Sequence, residues 1–284
     1  MIKIHLSFWL AAAIFWIMGL GIVFLMVISA VTLHELAHIV VAKAFGCKTI
    51  QLRISALGEI ARINRMDRLT PWKRTAVIAA GPACNFLLWF LIEQNMQFFV
   101  SIGMESFGFY NLILGIFNLL PIFPLDGAKL FQLWMGNHLG AMRANRRAIR
   151  IGQICCIVLM ALGVVQAILY APNFTMLLVG FTLWRQNCNI KVELTGEFYL
   201  AMLNKSGRLS KGMLPIKPLC AKANYPLAKI VESMGWDHIL VITVIDRTKT
   251  VTIATINEME IINYVTRYGI LGTLEDYLHF SRST

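Results

Sequence analysis

The residues His34-Glu35-Leu36-Ala37-His38 place two histidines four positions apart. On a helix, side chains at positions i and i+4 lie on one face, so both imidazoles can reach one metal ion. Zinc accepts two neutral imidazoles and one oxygen ligand, and it then keeps one position open for water. Glu35 follows the first histidine and can take a proton from that water. The motif therefore predicts a hydrolytic zinc site in which Glu35 is the catalytic base.

A third ligand has to come from another part of the chain. Asp126 is the only acidic residue within 106–192, and it follows Pro121 and Pro124 in a long apolar segment. The two prolines predict a break in the helix at 118–127, because a proline ring cannot continue the helical hydrogen bonds. Broken backbone at membrane depth is tolerated only where protein or a water-filled cavity receives it. We therefore expect Asp126 to turn inward and to complete the metal site.

Cleavage of a peptide inside a membrane also requires an extended substrate. The freed backbone groups around Pro124, and a sheet edge in a predicted hairpin at 46–75, can pair with such a peptide. Asn85 and Asn118 lie in apolar surroundings and can donate to the scissile carbonyl or to the substrate backbone. Hydrogen bonding between helices explains these two asparagines equally well, so both interpretations stay open.

The composition is that of a membrane protein. Apolar residues make up 57% of the chain and charged residues only 14%, whereas soluble domains carry about 25% charged residues. A bilayer core needs roughly 20 apolar residues per helix. The uncharged stretches predict about six transmembrane helices, near residues 6–20, 22–44, 76–98, 107–133, 150–170 and 173–187.

Charge distribution predicts the topology. The net charge of +11 sits mainly in loops between apolar segments, which favours topology control over nucleic-acid binding. The loops after the second and fourth spans, at 48–74 and 143–150, are strongly basic, and the loop near 99–106 has no Lys or Arg. Both termini are therefore expected to be cytoplasmic. The six cysteines contain no C-x-x-C pair and are expected to be reduced or buried thiols.

The last part of the chain has the pattern of a small soluble domain. Residues 239–245 and 251–255 are β-branched runs separated by a turn, and helices are predicted from Pro226 to Met234 and from Asn257 to Tyr268. With an extended piece near 215, the order is βαββα. The predicted fold is thus an α-helical polytopic membrane protein with a membrane-surface β-hairpin and a C-terminal α/β domain. Its domains are expected at 1–189 (transmembrane), 190–205 (linker) and 206–284 (cytoplasmic).

Three stretches together resemble the site-2 protease family of intramembrane zinc metalloproteases, and within it the sporulation proteases of endospore-forming bacteria. The matching stretches are His34–His38, Ala80–Asn85 and Asn118–Gly127. The family usually has Gly where Ala37 and Ala128 stand, and both changes are small for small.

This resemblance implies a metalloendopeptidase with one zinc ion, held by His34, His38 and Asp126, and with Glu35 as its base. It implies regulated cleavage of a membrane-associated substrate, the precursor of the late mother-cell sigma factor (pro-sigma-K-like), from which the pro-sequence is removed. It also implies membrane-bound inhibitory partners and a place in the mother-cell membrane around the forespore.

The tail resembles a CBS module, a nucleotide-sensing fold. Thr255 and Glu258 have the spacing of the residues that contact ribose and phosphate in that module, although the family usually has Asp in place of the Glu. These modules work in pairs and this chain has one, which implies a homo-oligomer that pairs its tails, with ATP as a regulator. A purely structural tail stays open as the alternative.

The same residues fit two other functions. Paired histidines and acids in a helix bundle also build the ion paths of zinc or proton transporters. Transporters often contain internal repeats, and none is visible in this sequence. The third alternative is an inactive family member that acts as a membrane scaffold, against which the intact set of His34, Glu35, His38 and Asp126 argues.

Overall fold

A computed structural model of the protein divides it into two compact units. The described residues are 2–4, 6–55, 58–64, 66, 69–101, 104–169, 174–209, 213, 215–235, 238–246 and 251–283. The first unit comprises residues 1–121 and 125–130, and the second comprises residues 122–124 and 131–284. The predicted spans at 150–170 and 173–187 therefore belong to the same compact unit as the tail. The domain boundaries at 189 and 205 stay a prediction.

The first unit is mainly helical. Its helices are α1 (Leu6–Ile17), α2 (Gly21–Ala44), α3 (Pro71–Gln94), α4 (Met96–Ser101), α5 (Glu105–Asn118) and the first residues of α6 (Asp126–Leu139). Gly19 and Gly46 have φ angles of 73° and 80°, which let the chain turn sharply before and after α2. Pro71 begins α3, where its missing N–H costs no helical hydrogen bond.

Helices α2, α3 and α7 (Ala141–Leu169) are long and apolar enough to cross a membrane, judged on the described residues. Large apolar side chains cover their outer faces, among them Leu25, Leu87 and Ile157, each more than half exposed. Such surfaces are typical of helices that face lipid. The membrane character predicted from composition is supported, and the count of six spans stays a prediction.

The fourth predicted span, at 107–133, is interrupted. Helix α5 ends at Asn118 and α6 begins at Asp126, and the turns between them contain Pro121 and Pro124. The peptide bond that precedes Pro124 is cis. The break predicted from the two prolines is therefore present, and it places Asp126 in the first turn of α6.

A three-stranded sheet accompanies the helices of the first unit. Strand β1 (Ile2–Ile4) pairs in parallel with β2 (Lys48–Ser55), which pairs antiparallel with β3 (Gly58–Asn64). The order β1-β2-β3 leaves β3 at one edge, and β3 contacts α2. The hairpin predicted within 46–75 is present. Strand β1 was not predicted, because three residues are too few to show a strand pattern in the sequence.

The second unit begins with two long helices. Helix α7 packs against α8 (Thr175–Leu209) along its length. Gly163 and Gly180 allow this close approach, since a Cβ at either position would lie within 3.0 Å of the other helix. Helix α8 continues through the predicted linker at 190–205, which is therefore helical.

The tail has the predicted order of elements with one addition. It contains β4 (Ile216–Lys222), α9 (Leu227–Ser233), β5 (Ile239–Ile245), β6 (Thr252–Asn257), α10 (Glu258–Tyr268) and α11 (Leu274–Ser283). Strand β5 is central, parallel to β4 and antiparallel to β6. The βαββα order predicted from the sequence agrees with these elements, and α11 was not foreseen.

A conventional apolar core holds the tail together. Leu240, Ile242 and Val244 alternate along β5 and are each 0% exposed, which is the period of a strand with one buried face. Helices α9, α10 and α11 cover that face with further buried side chains, among them Ile230 and Ile261.

The tail also packs against the first turns of α7. The N–H of Ala141 donates to the carbonyl of Met234 at 2.9 Å. The carboxylate of Glu232 pairs with Arg143 at 3.6 Å and with Arg146. Ala141 belongs to the same buried cluster as the tail core.

Candidate metal centre

The two histidines of the motif lie on one buried face of α2. His34 and His38 are 4% and 6% exposed, and their Nε2 atoms are 3.1 Å apart. The rings meet edge to face at an interplanar angle of 82°. The one-turn spacing in the sequence therefore produces convergent nitrogen atoms, as expected for positions i and i+4.

Asp126 joins this pair from the start of α6. Its Oδ2 atom lies 3.0 Å from Nε2 of His34 and 3.0 Å from Nε2 of His38. The side chain is buried with the histidines and belongs to the same compact unit. The structure thus brings together the three residues predicted as ligands. They come from two helices, and 88 residues separate His38 from Asp126 in the sequence.

Two further contacts orient these groups. His38 Nδ1, in the tautomer that is protonated there, donates to the carbonyl of Val77 on α3 at 2.7 Å, which leaves Nε2 free to bind a metal. Lys129 Nζ donates to Oδ1 of Asp126 at 3.0 Å. The second carboxylate oxygen is therefore occupied, and Oδ2 faces the imidazoles.

Gly81 on α3 closes the other side of the cluster. A Cβ at this position would lie 2.5 Å from Nε2 of His34 and closer still to Nε2 of His38. Any side chain here would therefore fill the place where the two nitrogen atoms converge. In the sequence, Gly81 is part of the matching stretch Ala80–Asn85. Because a glycine carries no reactive group, no sequence pattern indicates this role.

Glu35 is half-buried beside the histidines. One ligand atom from each of His34, Glu35 and His38 can be chosen so that all lie within 4.8 Å of one another. Among the described residues, Asp126 makes hydrogen bonds to both imidazoles, and Glu35 makes none to them. This geometry agrees with Asp126 as the third ligand and Glu35 as the base, and both roles stay predictions.

The predicted substrate-binding residues occupy different environments. Asn85 lies one turn after Gly81, is 0% exposed, and neither its Nδ2 nor its Oδ1 has a hydrogen-bond partner within the described part of the chain. Asn118 ends α5 and donates to its own helix at Leu114. Pro124 lies in the turn before Asp126. Of these three predicted residues, Asn85 alone presents a buried amide without a partner among the described residues.

The two residues predicted to bind a nucleotide lie close in sequence and differ in burial. Thr255 is exposed on β6. Glu258 is 1% exposed, and it accepts a hydrogen bond from the N–H of Leu240 at 2.7 Å. The N-terminus of α10 is capped by Asn257, whose side chain accepts from the N–H of Met259. Nucleotide binding at this helix stays a prediction.

The chemistry of the convergent atoms fits zinc. Two imidazole nitrogens and one carboxylate oxygen are a ligand set that zinc uses in hydrolytic sites. Atoms 3.0–3.1 Å apart can share one ion at bond lengths of about 2.0–2.2 Å. The absent Cβ of Gly81 provides the space for the ion.

Comparison with protein families gives an independent result. The model of peptidase family M50 matches residues 22–98 and 93–162, about half of the chain. The matched region contains α2, α3, α5 and α6, and hence all the convergent residues. The chain belongs to peptidase family M50. The resemblance to site-2 proteases inferred from three short stretches is thereby confirmed.

Several curated proteins are similar to this M50 member. A zinc metalloprotease of Methanocaldococcus jannaschii is 28% identical over 59% of this chain and 48% of its own length. Stage IV sporulation protein FB of Bacillus subtilis is 30% identical over 56% of each chain. A putative zinc metalloprotease of Synechocystis is 32% identical over 59% of this chain and 46% of its own. The chain thus spans about half the length of the curated relatives that it matches.

A solved structure supports the fold. The site-2 protease from Methanocaldococcus jannaschii aligns with a TM-score of 0.54 and 23% identity, over 67% of this chain and 90% of that one. At this identity the likeness establishes a shared fold. The predicted helical membrane architecture is therefore supported, and the CBS-like nature of the tail stays a prediction.

Proposed function

We propose that this protein is a zinc metalloendopeptidase that cleaves its substrate within the membrane. The observation that carries the proposal is the convergence of His34 Nε2, His38 Nε2 and Asp126 Oδ2 beside Glu35. These groups lie in helices whose outer faces are apolar. Polar groups at such depth are costly, and they are a functional site by default.

The chemistry follows from the position of each group. Zinc held by the two histidines and Asp126 would acidify a water molecule and polarise the scissile carbonyl. Glu35 would take a proton from that water as the water oxygen bonds to the carbonyl carbon, and it would deliver the proton to the amine nitrogen as the C–N bond breaks. Lys129 donates to Oδ1 of Asp126, which would leave Oδ2 to hold the metal.

Substrate binding is assigned to groups that lack a partner or lie at an edge. The buried amide of Asn85 donates to the scissile carbonyl or to the substrate backbone. Asn118 and the turn at Pro124 assist from the end of α5 and the break after it. Strand β3, at the edge of its sheet, can add an extended peptide as a further strand.

The substrate is proposed to be the membrane-associated precursor of a sporulation sigma factor. The likeness to Stage IV sporulation protein FB supports a role in sporulation. Relatives that are not named for sporulation have similar identities of 28% and 32%, so the substrate needs its own test. On this proposal the enzyme lies in the mother-cell membrane around the forespore, and membrane-bound partners inhibit it.

Charge supports the orientation in the membrane. The basic loops at 48–74 and 143–150 would remain in the cytoplasm, which places both termini there. The tail would then face the cytoplasmic nucleotide pool. We propose that ATP binds at Thr255 and the start of α10, and that tails of two chains pair in a homo-oligomer.

Replacement of Glu35 by Gln tests the catalytic proposal. The variant should keep one zinc per chain and lose cleavage of a co-expressed sigma-factor precursor by about 100-fold or more. Glu93→Gln is the matched control, because Glu93 is an exposed acid on α3, and it should cleave normally. Cleavage by the Glu35→Gln enzyme would refute the role of Glu35. Absence of metal from the purified, active protein would refute the zinc site.

The finer assignments have separate tests. Other membrane-associated precursors offered in the same assay would reveal whether the sigma-factor precursor is preferred. Titration of the full-length protein with ATP tests the tail, and no binding at millimolar nucleotide would retire that part of the proposal.

A further inference from the structure

Asn187 on α8 connects three parts of the second unit. Its side chain is 0% exposed. The Nδ2 atom donates to the carbonyl of Ile149 on α7 at 2.8 Å. The Oδ1 atom accepts from the backbone N–H of Phe123 at 3.3 Å. A single amide therefore joins two long helices to the turns between α5 and α6.

The helix opposite Asn187 is shaped to receive it. Gly152 lies on α7, three residues after Ile149, and a Cβ there would lie 2.8 Å from Oδ1 and 3.1 Å from Nδ2 of Asn187. Glycine inside a helix costs about 1 kcal/mol relative to alanine. Gly152, in the middle of a helix of 29 residues, thus has a packing reason, which is to leave space for this amide.

The contact matters because of where Phe123 lies. Ile122 and Phe123 are 0% and 2% exposed. They lie in the turns between α5 and α6, where no helix provides hydrogen bonds for the backbone. A buried backbone N–H needs a partner, and within the described part of the chain the N–H of Phe123 donates to Oδ1 of Asn187. Asp126 follows only three residues later. The backbone that leads to the third ligand is thus fixed by a side chain 64 residues away.

We propose that Asn187 is a positioning residue for the metal centre. By holding the N–H of Phe123, it fixes the turn from which Asp126 departs, so that the Asp126 carboxylate meets the two imidazoles. The inference rests on the proposed zinc site. Asn187 lies outside the residues matched by the family model, 22–98 and 93–162, and its hydrogen bonds within the described residues go to Phe123 and Ile149 rather than to the ligands.

Two variants test the inference in the full-length protein. Asn187→Leu keeps the approximate size and removes both hydrogen bonds. Gly152→Ala keeps the asparagine and displaces its Oδ1. Each should weaken zinc binding, measured by competition with a chelator, by about 10- to 100-fold, the range for groups that orient metal ligands. With saturating zinc, kcat for precursor cleavage should fall while KM stays unchanged.

Control variants separate this role from general packing. Thr182→Val removes a hydroxyl that bonds only within α8, to Val179, and it should bind zinc as the parent does. Because Gly152→Ala acts through Asn187, the double variant should bind zinc no more weakly than Asn187→Leu alone.

The outcomes decide between the hypotheses. Unchanged zinc affinity in folded Asn187→Leu protein overturns the inference, as does an equal loss in Thr182→Val. If Asn187→Leu does not fold, normal zinc affinity in Gly152→Ala overturns it instead. If the parent protein itself binds no zinc, the proposed function fails, and this result is distinct from failure of the Asn187 variants alone.

Discussion

Helix α2 of the first unit and helix α10 of the tail bury different kinds of side chain. On α2 the buried set includes His34 and His38, while Leu25 and Val40 are exposed. On α10 the buried set is mainly apolar, with Ile261, Ile262 and Val265. The tail folds by removing apolar surface from water. In helices that face lipid, an exposed apolar side chain costs no free energy, because the lipid tails are themselves apolar. Polar groups that perform chemistry can therefore occupy the interior.

This difference affects what a sequence pattern reveals. In the tail, the period of apolar residues marks the core directly, because water surrounds the outer face. In α2 most positions are apolar, and the buried residues are mainly small or polar, with Ile39 as the one large apolar side chain among them. Truncation of an apolar side chain should therefore destabilise the protein strongly in the tail core and only weakly on the outer face of α2.

The largest effect is expected from Gly81→Ala. The new Cβ would crowd Nε2 of both His34 and His38, so zinc affinity should fall by about 100-fold or more. Gly196→Ala is the matched control, since a Cβ there has no atom within 4 Å. Isothermal titration or chelator competition measures both. Normal zinc binding in Gly81→Ala would show that the metal does not lie where the imidazoles converge.

The next effect distinguishes the two kinds of burial. Leu240→Ala removes a fully buried side chain from the tail core and should destabilise the tail by about 2–5 kcal/mol. Leu25→Ala removes a half-exposed side chain from α2 and should change stability by less than about 0.5 kcal/mol. Denaturant unfolding of the full-length protein in detergent measures both. Equal losses would contradict the assignment of the outer face of α2 to lipid.

A smaller effect is expected where the tail meets α7. Glu232→Gln removes ion pairs with Arg143 and Arg146, whose side chains are 40% and 47% exposed. Partly exposed pairs contribute up to about 1 kcal/mol each, so amide exchange near Ala141 should rise only severalfold. The difference from the parent should shrink in about 1 M salt. A change that persists at high salt would indicate a cause other than charge.

The smallest effect concerns the cap of α11. The backbone N–H and the hydroxyl of Thr273 donate to the carboxylate of Asp276, and these bonds hold the pKa of Asp276 below its ordinary value. A carboxyl with a lowered pKa contributes stability above its unfolded pKa and loses it as pH falls through the folded pKa.

Asp276→Asn should therefore lower the melting temperature of the tail slightly at pH 7. As the pH is lowered from 7 through the lowered pKa of Asp276, the difference between parent and variant should disappear, because the carboxyl becomes protonated. Melting curves by circular dichroism over this pH range provide the test. A difference that grows as the pH falls would contradict the capping role.

Several residues of the site can be identified from the sequence alone, because they are polar or charged residues within apolar stretches. Asp126 is a lone acid after two prolines, and His34 with His38 interrupts an apolar run. Gly81 and Asn187 could not be identified in this way. The first acts through the absence of a side chain, and the second acts on a backbone group 64 residues away. Neither relation leaves a periodic or compositional trace.

The elements show the same division. The hairpin of β2 and β3 and the order of the tail followed from alternation and turn residues. The prediction that Thr255 and Glu258 form one nucleotide site depends on the resemblance to a CBS module and on the spacing of the two residues. The structure places the first on an exposed strand position and the second in the core, with its carboxylate on the N–H of Leu240.

The sequence by itself determined that the protein lies in a membrane, that a helix breaks before Asp126 and that certain residues can bind a metal. Hydropathy, proline geometry and side-chain chemistry decide these features, and all three are local properties of the chain. Tertiary structure alone decided which atoms converge and what holds them. The contacts of Asp126 with the histidines, the space at Gly81 and the hold on Phe123 join distant parts of the chain. Such contacts depend on how helices pack, and packing is a property of the whole fold.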